Sequence, residues 1–79
     1  MNKSKFYIAS NQITAIVVEK NKSEWKTHLS PEWQLSIFIE GKQEAFFVTG
    51  YETFEDAEKM QFELVTQATN HKFVSIEVG

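Results

Sequence analysis

Hydrophobic and polar residues alternate along much of the first fifty positions of the chain. The segment WQLSIFIE at residues 33–40 is the clearest case, because large apolar side chains occupy every second position from Trp33 to Ile39. This period of two places them on one face of a β-strand, which we expect to be buried. Less regular runs of the same kind lie on either side of it. The pattern predicts β-strands at residues 5–9, 13–19, 33–40, 44–51 and 73–78.

The period changes to that of a helix at residues 53–70. Thr53 is a suitable N-cap, with Asp56 three residues later in the position of a capping-box acid. At about 100° per residue, one stripe of the helix is apolar and should pack on a sheet. Asn70 supplies the stop, because asparagine tolerates the left-handed conformation that ends many helices. The predicted buried stripe consists of Phe54, Ala57, Leu64, Val65 and Ala68, with Gln61 inside it and Met60 at its edge.

These elements indicate a single α+β domain at residues 1–79. The expected architecture is a four- to five-stranded, mainly antiparallel sheet with one helix packed on one face, in the order β-β-β-(β)-α-β. Gly41 lies in the turn between two neighbouring strands, where a positive φ is favourable. The crossover through the helix should return the last strand to a place beside the first.

A single helix covers only one face of such a sheet, so apolar side chains on the other face need another cover. The strand at residues 44–51 carries apolar residues on both faces, and periodicity does not select the buried one. We expect that face to expose some of Phe38, Phe46 and Val48, together with one side of the strand at residues 13–18. An apolar face of this kind is typically buried by another chain, and a two-fold homodimer is the simplest cover.

Two further aromatic residues stand outside the predicted core. Trp25 lies in the polar segment at residues 20–32, where it either folds back over the open sheet face or contacts a partner. Phe62 projects from the helix away from its apolar stripe. With two phenylalanines of the sheet, they form the predicted set of partner contacts: Trp25, Phe38, Phe46 and Phe62.

The composition argues against catalysis. The chain has no cysteine and no arginine, and arginine is the usual residue for bidentate recognition of phosphate or carboxylate. His28 and His71 are isolated in sequence, without metal-ligand spacing around them. We therefore predict a protein without enzymatic activity, metal site or cofactor. No apolar stretch approaches the ~20 residues of a membrane span, and a cytoplasmic location is the expectation.

Three functions are compatible with this pattern. The first, which we favour, is a protein-interaction or assembly module that self-associates through the apolar sheet face, with another protein as the alternative partner. The second is single-stranded nucleic-acid binding, in which Phe38 and Phe46 face each other across the hairpin and stack on bases. The net charge of −3 disfavours it. The third is an acidic inhibitor, in which Glu55, Asp56 and Glu58 imitate the charge of nucleic acid.

Overall fold

The computed structural model describes residues 4–21 and 31–78 and confirms the predicted α+β class and element order. A short 3-10 helix, Ser10–Gln12, follows the first strand, and the single α-helix of the described residues, α1, spans Phe54–Asn70. The segment that contains Trp25 and His28 lies outside the described residues. The strands are β1 (Ser4–Ala9), β2 (Ile13–Lys20), β3 (Trp33–Ile39), β4 (Phe46–Tyr51) and β5 (Phe73–Val78).

The five strands form two antiparallel sheets, a division that the sequence pattern did not predict. Strands β2, β3 and β4 form a three-stranded sheet with β3 in the centre. Strands β1 and β5 form a two-stranded ribbon. The last strand therefore returns beside the first, as expected from the crossover through α1.

Both sheets contribute to one apolar core, and we call the faces that meet it their inner faces. Leu35 and Ile37 of β3 are fully buried there, as the alternation of that strand predicted. The two sheets and the helix are packed around this shared core rather than around separate ones. Its buried residues are Leu35, Ile37, Val48, Ala57, Leu64, Val74 and Ile76.

Two glutamines attach α1 to an edge strand of each sheet. The side-chain amide of Gln61 donates a hydrogen bond of 2.7 Å to the backbone oxygen of Ile16 in β2. The side-chain oxygen of Gln67 accepts a hydrogen bond of 3.2 Å from the backbone N–H of Ser75 in β5. Buried or half-buried backbone groups need such partners. The helix thus lies between β2 of one sheet and β5 of the other, and it supplies polar contacts to both.

The helix begins and ends where the sequence predicted, but the conformation at its C-terminal end differs. The hydroxyl oxygen of Thr53 accepts a hydrogen bond of 3.1 Å from the backbone N–H of Asp56, so the N-cap is confirmed. No described residue other than glycine has a positive φ, so the predicted left-handed Asn70 is wrong. Instead, His71 is extended and donates its backbone N–H to the oxygen of Gln67, at 2.8 Å.

The buried stripe of α1 is rotated from the predicted one. Ala57 and Leu64 are buried as expected. Phe54 and Val65, however, are 40% and 46% exposed, whereas Met60 at the edge of the predicted stripe and Gln67 outside it are half-buried. The bond between Gln67 and the backbone N–H of Ser75 accounts for the difference, because it turns the side of the helix that carries Gln67 toward the ribbon.

A β-bulge at Gly50 decides which residues of β4 face the core. Gly50 has a φ of +113°, and Thr49 and Tyr51 on either side of it pair with successive residues of β3. The extra residue puts Tyr51 on the same face as Val48. Val48 is buried, so it is not one of the residues that the uncovered face exposes. In the preceding turn, Gly41 has the predicted positive φ, +82°.

Candidate interaction surface

The outer face of the three-stranded sheet, turned away from the core, exposes a group of apolar side chains. Ser36 in the centre of β3 lies between Val17 of β2 and Phe47 of β4. Phe38 is the next residue of β3 on the same face. Phe38 is 42% and Phe47 54% exposed, and Val17 is also exposed. We call Val17, Phe38 and Phe47 the apolar patch.

A polar network borders the apolar patch on the same face. The hydroxyl of Ser36 donates a hydrogen bond to the carboxylate of Glu19. The side-chain amide of Gln34 lies 3.3 Å from the hydroxyl oxygen of Ser36 and 3.5 Å from the carboxylate of Glu19. Gln34 and Ser36 are buried although they lie on the outer face. Their burial is tolerated because both are hydrogen-bonded.

The outer face is concave, with a cavity of about 610 Å³ between the polar network and the phenylalanines. The charged residues among its described lining are Glu19 and Glu44, and no described lysine lines it. Lys20 is directed elsewhere, since its ammonium lies 5.0 Å from the ring centroid of Trp33 and 3.6 Å from a carboxylate oxygen of Glu32. The surface therefore suits an apolar occupant better than a phosphate backbone.

Phe46 does not belong to this surface. It pairs with Ile37 on the inner face, and its ring meets that of Phe6 edge-to-face, with 5.2 Å between the ring centroids. The prediction that Phe38 and Phe46 face each other is therefore wrong. Phe47, the next residue, shares the outer face with Phe38. Sequence reasoning missed Phe47 because both faces of this strand are apolar, and only its pairing with β3 selects the inner one.

The other predicted contact residues are not brought together with Phe38. Phe62 is 72% exposed on α1, off the buried stripe as predicted. Trp25 lies outside the described residues. Sequence reasoning also missed Tyr7 and Phe73, which are exposed on the outer face of the ribbon. The alternation of the last strand was a usable signal, because an inward Val74 requires an outward Phe73.

The described part of the chain contains no cluster of metal ligands and no helix suited to span a membrane. Within residues 4–21 and 31–78, no three or more His, Asp and Glu side chains are grouped so that they would hold a metal ion. The same ranges contain no helix with the length and apolar character needed to cross a membrane.

No protein-family model, curated protein or solved structure matches the chain. Function must therefore be inferred from the surfaces themselves.

Proposed function

We propose that the protein is a non-enzymatic cytoplasmic interaction module that self-associates through the outer face of its three-stranded sheet. The observation that carries the proposal is the apolar patch. Three apolar side chains are exposed around Ser36 on a face that the helix does not cover. Removing such a patch from water is the main driving force for association of protein surfaces.

The position of the charges favours a second copy that is related by a two-fold axis. Glu19 pairs with Gln34, whereas Phe38 lies four residues further along β3, beyond Ser36. Glu19 and the apolar end of the face are thus separate, whereas Glu44, the other acidic residue of the lining, lies near the apolar end. A two-fold axis near Phe38 and Phe47 would bring the apolar ends together and keep the Glu19 carboxylates of the two copies apart.

The size of the face limits the strength of this dimer. Three strands of about six residues, at ~3.3 Å per residue and ~4.8 Å between strands, cover only about 300 Å² in projection. Stable interfaces bury about 800 Å² per partner. We therefore expect a weak dimer that dissociates on dilution rather than an obligate one.

Nucleic-acid binding is the less favoured alternative. Phe38 and Phe47 are available for stacking on bases, but the charged residues that line the concavity are acidic. Binding of single strands depends on cations that follow the phosphates. Fluorescence anisotropy with a labelled single-stranded oligonucleotide at low salt is the direct check, and we expect no binding.

The solution mass of the protein tests the proposed dimer. We expect light scattering after size exclusion to report a mass above that of the monomer at high concentration, which falls on dilution. The combined substitutions Phe38→Ser and Phe47→Ser should reduce this increase. Phe62→Ser is the matched control, since it removes a more exposed phenylalanine from a different surface. A double variant that self-associates as strongly as the original chain would contradict the proposal.

A further inference from the structure

The edge of β1 that faces away from β5 carries outward backbone groups. The backbone N–H of Ser10 donates to the oxygen of Lys72, at 2.9 Å, and this pair continues the register of the ribbon. Hydrogen-bonded and non-hydrogen-bonded pairs alternate along an antiparallel ladder. Counting back from Ser10 in steps of two assigns the bonds with β5 to the even-numbered residues of β1. The outward N–H and C=O groups therefore belong to Lys5, Tyr7 and Ala9.

Contacts at two other strand edges agree with this assignment and show that those edges are occupied. Ser75 lies opposite Tyr7, so its N–H also points out of the ribbon, and it is bonded to Gln67 of α1. The backbone oxygen of Ile16 at the edge of β2 is bonded to Gln61. The helix thus protects one edge of each sheet. Among the described residues, no side chain makes a comparable hydrogen bond to the outward groups of β1.

The remaining edge, that of β4, is less suited to pairing than the edge of β1. β4 contains the bulge at Gly50, and a bulge twists and interrupts an edge. The register of β1 with β5 is continuous from Ser4 to Ala9. A regular edge of this kind is a template for a further strand.

We propose that β1 pairs antiparallel with β1 of a second copy, about a two-fold axis at Tyr7. The outward groups of Lys5, Tyr7 and Ala9 are spaced evenly about Tyr7, as such an axis requires. Tyr7 then pairs with Tyr7 of the second copy, and Lys5 pairs with Ala9. With two bonds exchanged in each such pair, about six backbone hydrogen bonds form. The two ribbons become one four-stranded sheet in the order β5-β1-β1-β5.

Side chains on both faces match in this register. On the inner face, Phe6 meets Ile8 of the second copy, which accounts for a core-facing phenylalanine that is 41% exposed in the single chain. On the outer face, Lys5 lies beside Ala9 rather than beside another lysine. Like charges directly opposite each other destabilise strand pairs, and this register avoids them. The lysine thus disfavours the register in which Lys5 would face Lys5 of the second copy.

This edge is distinct from the apolar patch, and the inference does not depend on the proposed function. The patch lies on the three-stranded sheet, whereas the edge belongs to the ribbon. A chain that uses both two-fold contacts assembles beyond a dimer. The two contacts are therefore separable by substitution.

The test uses the chain with Phe38→Ser and Phe47→Ser, which removes the patch, and adds a charge on the proposed axis. Without further change, this chain should still dimerise at high concentration. Tyr7→Lys or Tyr7→Glu should each raise the Kd about tenfold or more, because each new charge faces itself across the axis. An equimolar mixture of the two should regain the dimer, since opposite charges then meet. Regained association also shows that both variants are folded.

Phe73→Lys is the matched control. It adds the same charge to an exposed residue on the same outer face, but on β5, which β1 separates from the second copy. It should leave the Kd of the edge dimer unchanged within about twofold. If the chain without the patch is monomeric at every concentration, or if the mixed variants stay monomeric, edge pairing is wrong. If Tyr7→Lys alone dissociates the original chain, the patch is not an interface and the edge inference stands.

Discussion

Among single residues, Tyr51 has an environment that its sequence neighbours do not suggest. The bulge at Gly50 turns it toward the core, where it lines a cavity of about 200 Å³ with Met60 and Glu63. Burial raises the pKa of the Tyr51 phenol above its ordinary value of 10.0, and the negative charge of Glu63 raises it further. The folded chain therefore favours the neutral phenol.

This pKa shift predicts a specific loss of stability at alkaline pH. Below about pH 10 the phenol is protonated in both states and contributes no pH dependence. As the pH rises above 10, the unfolded chain releases the proton while the folded chain retains it, so the free energy of unfolding falls. In urea titrations at several pH values, Tyr51→Phe should therefore lose less stability above pH 10 than the original chain does.

Tyr7→Phe is the control for this measurement, because Tyr7 is an exposed tyrosine on the ribbon. It should retain the full alkaline loss of the original chain. Identical alkaline slopes for Tyr51→Phe and Tyr7→Phe would show that the burial of Tyr51 has no energetic consequence.

The residues that the sequence predicted correctly are those whose conformation depends on near neighbours. Thr53 caps a backbone group three residues away, and Gly41 sits in a turn that few residue types tolerate. The burial of Gln34 was not predictable from its near neighbours, because its hydrogen-bond partners are Ser36 on the same strand and Glu19 on a different strand. Phe47 was missed for a related reason: its face is set by the pairing of β4 with β3.

At the scale of elements, α1 combines a strong local start with a position that is fixed by distant contacts. Its N-cap hydrogen bond, from the N–H of Asp56 to Thr53, was evident from the sequence. The rotation of its buried stripe was not, because Gln61 and Gln67 bond to strands at sequence separations of 45 and 8 residues. The local sequence therefore predicts that the helix exists and where it begins. Its orientation is determined by the edges of both sheets.

Thr53→Ala should destabilise the fold by about 1 kcal/mol, within the range of roughly 0.5–2 kcal/mol known for N-caps. The variant leaves the N–H of Asp56 without its side-chain acceptor at the start of α1. Urea unfolding followed by far-UV circular dichroism measures the difference. The expected midpoint is lower, with an unchanged dependence on denaturant.

Thr66→Ala provides the comparison for the cap. The Thr66 hydroxyl donates to the backbone oxygen of Phe62 within the helix, at 2.9 Å. Such bonds add little to a helix, and alanine is the better helix former. We expect the stability of Thr66→Ala to be equal to or slightly above that of the original chain. Equal losses in both variants would assign the effect to threonine removal in general rather than to the cap.

For the whole molecule, the α+β class and the order of elements were predictable because they depend on the period of the hydrophobic pattern. The division into a sheet and a ribbon was not. An alternating segment such as β1 specifies which of its faces is buried, but not which strand lies beside it. That choice depends on how α1 fills the space between Ile16 of β2 and Ser75 of β5, which is a property of the complete fold.

Because both sheets pack around one core, the protein should unfold as a single unit. Leu64 of α1 is 2% exposed and belongs to the core cluster that includes residues of both sheets. Leu64→Ala should lower the free energy of unfolding by about 2–5 kcal/mol, because it leaves a cavity at this junction. Val65→Ala is the matched control, since the neighbouring Val65 is partly exposed, and it should change stability by only about 0.5 kcal/mol.

Hydrogen exchange distinguishes a shared core from two independent sheets. In Leu64→Ala, the most protected amides of β3 and of β5 should lose protection by the same factor, because global unfolding exposes both. The amides of Ile37 and Val74 are suitable reporters, since both residues are fully buried. Loss of protection at Val74 alone would mean that the ribbon opens while the three-stranded sheet stays folded. The ribbon would then be a separately unfolding unit, attached to the larger sheet through α1.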